Sequence, residues 1–326
     1  MSWNQVILNS VFGICCLYII LVSNLRDWNM KSNLTDPAKR KAAPEKRESV
    51  LENSKIYHLK DNKPHIYLSS KLAKIQLNNN DTDMELLEGR SFKGAKKPVD
   101  FSAKKAFYRR IGNKLILVEE VVLIDDQTNL KADKVTYFFD QDEIIGRGNV
   151  LLKGKIPQSE DKIEIKAKSF SHYPGRKIST FQDDVKGVIH RPEKYREGLE
   201  FEADKLEYSQ RGSKISLIGA VLLNKPPFTV SSRRGEIFLE NYSNKLNYFV
   251  LNDDVKLREK RKNGLRKAFA EKMEGIASEG KLILTGLPKV IQDGETIKGN
   301  KITIRENSEV VEVDDAYTTF KINKGR

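Results

Sequence analysis

Cysteine is nearly absent from this chain of 326 residues: there are 2, adjacent at Cys15 and Cys16, which excludes an internal disulfide framework and any thiolate metal centre. Histidine is almost as scarce, with 4, and His58, His65, His172 and His190 have neither an HxxxH nor an HxH spacing, so no metal site is expected. GxSxG, P-loop and HExxH motifs are missing as well. Asp183–Asp184, Asp253–Asp254 and Asp314–Asp315 invite a paired-carboxylate reading, but neighbours on a strand point to opposite faces. The first two pairs also stand just before a valine at the same place in a repeat, where Asp serves turns and strand starts. The sequence therefore predicts no catalytic residue, no cofactor and no enzyme. An acidic excess is also lacking: 58 Lys+Arg against 45 Asp+Glu give a net charge of +13. That balance suits an acidic partner such as nucleic acid, anionic lipid or a phosphorylated glycan. Tyr and Phe fall mostly on apolar strand faces instead of alternating with basic residues along an exposed stripe, so nucleic acid is not expected.

Long apolar runs are absent except for one. Val6–Leu25, VILNSVFGICCLYIILVSNL, carries no charge, and about 20 residues at roughly 1.5 Å each cross a hydrocarbon core of about 30 Å. Residues 1–25 are read as a single transmembrane helix. The leading MSWNQ has no Lys or Arg, no A-x-A site follows, and Ile14 precedes Cys15, all of which argue against cleavage. Arg26, Lys31, Lys39, Arg40, Lys41, Lys46 and Arg47 follow the span. The positive-inside rule alone would keep the remainder in the cytoplasm. Residues 26–55, with Pro37 and Pro44, read as a basic tether whose charges suit anionic headgroups.

What is abundant is repetition. Leu130–Gly154, LKADKVTYFFDQDEIIGRGNVLLKG, has an apolar-x-Ala opening, an alternating strand, a polar turn and a second strand through a valine. The Ala recurs at Ala103, Ala132, Ala167 and Ala203, and the Val at Val121, Val150, Val185, Val221, Val255 and Val290. Spacings of about 29 to 36 residues mark an array whose units must stack to bury their apolar faces. LRKAFAEKMEGIASEG is rich in helix formers, yet Ala268, Ala270 and Lys272 alternate, which predicts a strand. Pro192, in HRPEKYREG, interrupts the alternation and divides the array into 56–190 and 191–326.

The tail segments LTG (Leu284–Gly286) and IKGNKI (Ile297–Ile302), with Val290, resemble the OstA-like periplasmic proteins of lipopolysaccharide export. LKADKVTY and FEADKLEY (Phe201–Tyr208) look like that family's apolar-x-Ala-Asp motif. A short amino tail, one span and a degenerate first unit is similar to LptC, whereas 191–326 is similar to LptA. The resemblance implies an all-β fold, a partly open antiparallel β-jellyroll of stacked repeats, preceded by the single transmembrane helix. It implies transfer of lipopolysaccharide from inner to outer membrane, and a β-region in the periplasm, contrary to the charge flank. The implied partners are lipopolysaccharide, an inner-membrane ABC-type export complex and a periplasmic or outer-membrane jellyroll. Alternation selects Phe101, Leu115, Leu117, Leu130, Leu152, Ile165, Phe201, Leu217, Leu223, Leu257 and Leu284 as the lining of a lipid trough. The same residues could instead close on one another as an ordinary core. A non-enzymatic β-repeat that binds or spaces envelope polymers is the competing reading. Ile302, Ile304, Val311 and Val313, with no proline nearby, predict an exposed docking edge.

Overall fold

Alternating apolar and polar side chains over eleven- to fourteen-residue stretches leave the backbone one economical way to pair its polar groups, and every regular element among the described residues is a strand. The computed structural model describes residues 48–60, 63–92, 98–155, 162–190, 198–209, 214–239, 246–262, 264–276, 279–305, 308 and 310–319. In chain order the strands are β1 (Glu48–Lys60), β2 (Lys63–Gln76), β3 (Thr82–Ser91), β4 (Val99–Arg109), β5 (Lys114–Ile124), β6 (Thr128–Phe138) and β7 (Glu143–Lys155). They continue as β8 (Lys162–Tyr173), β9 (Ile178–His190), β10 (Leu199–Ser209), β11 (Lys214–Lys225), β12 (Phe228–Leu239), β13 (Leu246–Arg261) and β14 (Gly264–Ile276). The last six are short: β15 (Lys281–Thr285), β16 (Lys289–Gln292), β17 (Glu295–Lys298), β18 (Lys301–Arg305), β19 (Val311–Asp314) and β20 (Tyr317–Thr319).

All belong to one 20-stranded antiparallel sheet. From β1 to β14 each strand pairs with the next, a plain meander. Beyond β14 each strand-length breaks in two: β15 and β16 both pair with β14, β18 and β17 pair with those, and β19 and β20 pair with β18 and β17. The β14 stretch forms a strand despite its helix-forming composition, because β13 and β15 supply the pairing. Its inward phase changes after Ala270, so that Met273, not Lys272, is buried.

A crease runs across the strands. Glu119–Glu120, Gly148–Asn149, Asp183–Asp184, Gly219–Ala220, Asp253–Asp254 and Gly286–Leu287 are consecutive residues at positive φ. Register shifts accompany the first five. Such bulges bend the strand that carries them. The recurring valine and the recurring small residue prove to be partners across this crease: Val121 faces Ala132, Val150 Ala167, Val185 Ala203, Val221 Ser232 and Val255 Ala270. The acid pairs in β9 and β13 are thus neither alternating strand residues nor turn residues, as the sequence reading had them. They form mid-strand corners.

The crease folds the sheet over. In an antiparallel meander the turns after odd-numbered strands lie along one margin and those after even-numbered strands along the other. His65 begins β2 at the odd margin, and Tyr137 ends β6 at the even one. The 11 residues of β6 would hold such positions about 35 Å apart in a flat sheet. Yet His65 Nε2 lies 3.1 Å from the Tyr137 hydroxyl. At the other end Arg266, on the odd margin, donates to the Ser308 carbonyl of the β18–β19 loop, on the even margin, at 3.0 Å. The halves of the strands therefore form two walls with the apolar faces between them.

The strands start earlier than the composition suggests. β1 opens at Glu48, inside the stretch read as tether, and its Val50, Leu51, Tyr57 and Leu59 are exposed. An edge strand wet on much of its surface carries little hydrophobic period to read. Residues 191–197, including Pro192, lie outside the described residues, but β9 and β10 on either side are paired from Leu199 opposite Ile189 onward. The expected span at 1–25 also lies outside the described residues. Among those described, no helix is long and apolar enough to cross a membrane.

Candidate functional site

The interior between the walls is one continuous apolar cluster that runs from Ile66 to Ile304. Of the residues selected from alternation, Leu115, Leu117, Leu130, Ile165, Phe201, Leu217, Leu223, Leu257 and Leu284 are buried within it. Phe101 and Leu152 are half-buried and pack against it. The structure thus brings the whole set to one interior.

Several large rings lie over glycines on the neighbouring strand. Phe101 faces Gly89, Phe201 faces Gly187, Phe170 faces Gly146 and Phe249 faces Gly275. A Cβ on Gly187 would come within 1.9 Å of the Phe201 ring, and one on Gly275 within 2.1 Å of Phe249. Each ring covers the bare backbone of its glycine and lies flat along the wall. The interior side chains bury one another in a single cluster.

The two ends of this interior differ. At the amino end an aromatic and histidine cluster closes the walls: His58 and Tyr137 each lie 4.7 Å from the Phe139 ring, and Tyr108 meets Phe139 edge-on. The Tyr137 hydroxyl donates to Asp142 at 3.1 Å, and burial together with that carboxylate pushes it well above the usual tyrosine range. His172, further along the even margin, shares a 2.9 Å hydrogen bond with Ser179, and burial lowers its basicity.

At the carboxyl end the closure is ionic. The Arg266 side chain is fully buried and donates to Glu259 at 3.0 Å, to Gln292 at 2.8 Å and to Ser308. Burial, and then the charge of Arg261, lower its basicity against the pull of Glu259. Arg261, also buried, donates through Nη2 to both oxygens of Asp293 at 3.0 Å. The sequence reading passed over this group, although Arg266 stands two residues before Ala268 and so shares its inward phase.

The predicted docking edge needs correction. β18 is paired on both flanks, by β15 and β19, so Ile302 and Ile304 are fully buried and cannot meet a partner strand. Val311 and Val313 do lie on the terminal strand, in β19. Nor does the stretch from Tyr317 cover β19: as β20 it pairs with β17 and continues the same terminal strand on the second wall. β1 forms the opposite edge.

A creased antiparallel meander with a continuous apolar interior and two terminal edge strands defines an all-β protein of a single open sheet. Residues 14–160 match the family described as lipopolysaccharide-assembly, LptC-related, and residues 200–310 match the family described as LptA/(LptD N-terminal domain) LPS transport protein. The chain is thus similar to LptC-related proteins over its first part and to LptA-like proteins over its second. No curated protein matches it. Among solved structures it is similar to LptH of Pseudomonas aeruginosa, the LptA-homologous periplasmic component of the lipopolysaccharide transport device. The identity is 14%, over 38% of this chain and 95% of that one, with a TM-score of 0.35.

Proposed function

We propose that this protein carries lipopolysaccharide across the periplasm as a partly open jellyroll, its acyl chains lying between the two walls. The observation that carries this reading is the succession of an LptC-related and an LptA-like segment in a single paired sheet with one apolar interior. An acyl chain of about 14 carbons exposed to water costs on the order of 11 kcal/mol, at about 0.8 kcal/mol per methylene. A carrier must replace that water with apolar surface along the whole route. Parting the walls supplies it, because the two contact groups that close the ends are side-chain contacts and not strand ladders. The reading includes an anchor at 1–25 in the inner membrane, a tether, and a β-region whose halves, 56–190 and 191–326, serve the membrane-proximal and distal stages. An inner-membrane ABC-type exporter would load it at β1, and a further jellyroll would receive cargo at β19 and β20.

One observation favours a second reading, a lipid-free β-repeat that spaces envelope polymers: the interior side chains already bury one another. Extraction of lipid from the purified full-length protein, followed by mass spectrometry, separates the two. The carrier reading predicts a phosphorylated, multiply acylated glycolipid. A lipid-free protein that also takes up none on incubation would leave the spacer. A reporter active only in the periplasm, fused after Arg326, should work, and activity of a cytoplasmic reporter there would overturn the topology.

A further inference from the structure

The amino end of the interior is closed by a cluster of rings, whereas the carboxyl end buries two guanidinium groups, of which Arg266 is engaged through all three nitrogens and Arg261 through one. Arg261 has a side-chain exposure of 7%, and only its Nη2 is engaged, by Asp293. Its Nε and Nη1 are sealed from solvent with no hydrogen-bond partner among the described residues. Buried donors are rarely left so, because each forfeits its water without replacement. A guanidinium has five donors, and a tetrahedral oxyanion is the acceptor whose charge and geometry answer several of them together.

The surroundings point the same way. Glu259 is taken by Arg266 and Asp293 by Arg261, each through one nitrogen, so neither acid reaches the free donors. Arg266 is held in place by Gln292 and by the carbonyl of Ser308 across the seam. Parting the walls breaks that last bond and uncovers both guanidinium groups at the mouth of the interior. An amphiphile whose chains lie between the walls holds its polar head at this level. We propose that Arg261 and Arg266 form an anion receptor that takes a phosphate monoester at the carboxyl end of the seam. This names a headgroup contact within the carrier reading and rests on it only for the source of the phosphate.

The test uses full-length protein, wild type and Arg261→Gln, with three probes: a diphosphorylated acylated glucosamine disaccharide, the same lipid after phosphatase treatment, and inorganic phosphate. Wild type should bind the phosphorylated lipid about tenfold more tightly than the dephosphorylated one. R261Q should lose that preference while keeping its affinity for the dephosphorylated lipid. Inorganic phosphate should raise the melting temperature of wild type and not of R261Q. If neither lipid binds but phosphate still stabilises wild type selectively, the receptor stands and the lipid cargo falls. Equal binding of both lipids by wild type with no response to phosphate would overturn the receptor and leave the carrier, a buried water then being the partner of Arg261. Should R261Q fail to fold, Asp293→Asn replaces it: removing the competing carboxylate should tighten phosphate binding severalfold, and an unchanged or weaker affinity would count against the site.

Discussion

At each corner of the crease, a residue one or two places after the recurring small side chain matches the pair at positive φ opposite it. Lys104 meets Glu120, Lys168 meets Asp184, and Arg234, two residues after Ser232, grips Asp253 at 2.5 and 3.1 Å. Between these corners the polarity reverses: Asp133 lies over Gly148–Asn149, Asp204 over Gly219–Ala220 and Glu271 over Gly286–Leu287. A basic residue thus goes with an acid pair, and an acid goes with a glycine, in strict alternation along the chain. The glycine is required twice over at Gly219, where φ is 74° and a Cβ would stand 2.2 Å from the Asp204 carboxylate. Gly219→Ala should cost about 1–2 kcal/mol in urea unfolding. Lys168→Asp should lower the melting temperature by a few degrees through repulsion from Asp183 and Asp184. Adding Asp183→Gly and Asp184→Asn, which copies the Asp133 corner, should restore it; failure to do so would show that the corners do not follow this rule. The valines and alanines of these corners were legible in the sequence as two separate alignments. Their pairing was not, since register between strands is a property of the ladder and not of either strand.

His172 offers a pH-dependent reading at the same scale. Burial lowers its folded-state basicity below the ordinary value of 6.5, so the unfolded chain takes up its proton first as pH falls. Its stabilising contribution is complete above about pH 6.5 and is lost on acidification. The carboxylates of Asp184 and Asp253 are held below their ordinary 3.8 by Lys168 and Arg234, and so titrate outside this window. Melting temperature should therefore fall between pH 7 and pH 5, and by less in His172→Asn, which keeps a hydrogen-bonding group near Ser179. Identical slopes for the two proteins would remove His172 from the account.

Among elements, the terminal strands separate pairing from docking. β18 holds Ile302 and Ile304 between two partners, whereas β19 has one. Ile304→Pro should therefore unfold the carboxyl end and lower the melting temperature sharply, because proline removes a donor from an interior ladder. Val311→Pro should leave the fold intact and reduce crosslinking to a partner jellyroll. If both variants behaved alike, β19 would not be the free edge. The sequence revealed that these stretches were strands, from their β-branched residues, but not which lay outermost, because the break of the last strand-lengths at Gly286, Asn300 and Asp315 lets two short strands share each rung. β1 was missed for the related reason that an edge strand need not alternate.

For the whole molecule, the interior is a shared property of the walls, and no segment owns it. Leu217 and Leu223 stand on opposite sides of the Gly219–Ala220 corner in β11, one on each wall, and both are buried. Truncating Leu217 to Ala should cost about 2–5 kcal/mol if the interior is packed as a core, and less if lipid fills the gap. The residues lining the interior could be chosen from alternation because the period of two survives on either side of each corner. The ionic closure at Arg261 and Arg266 could not, since nothing in the sequence brings the β13–β14 turn against residues 292, 293 and 308. Site-specific photo-crosslinking in cells tests the central claim most directly. Probes at Phe201, Leu217 and Leu223, which face the interior, should capture lipopolysaccharide, and probes at Glu202 and Ser216, on the opposite face, should not. Equal labelling of the two sets, or none in either, would contradict a carrier whose cargo lies between the walls.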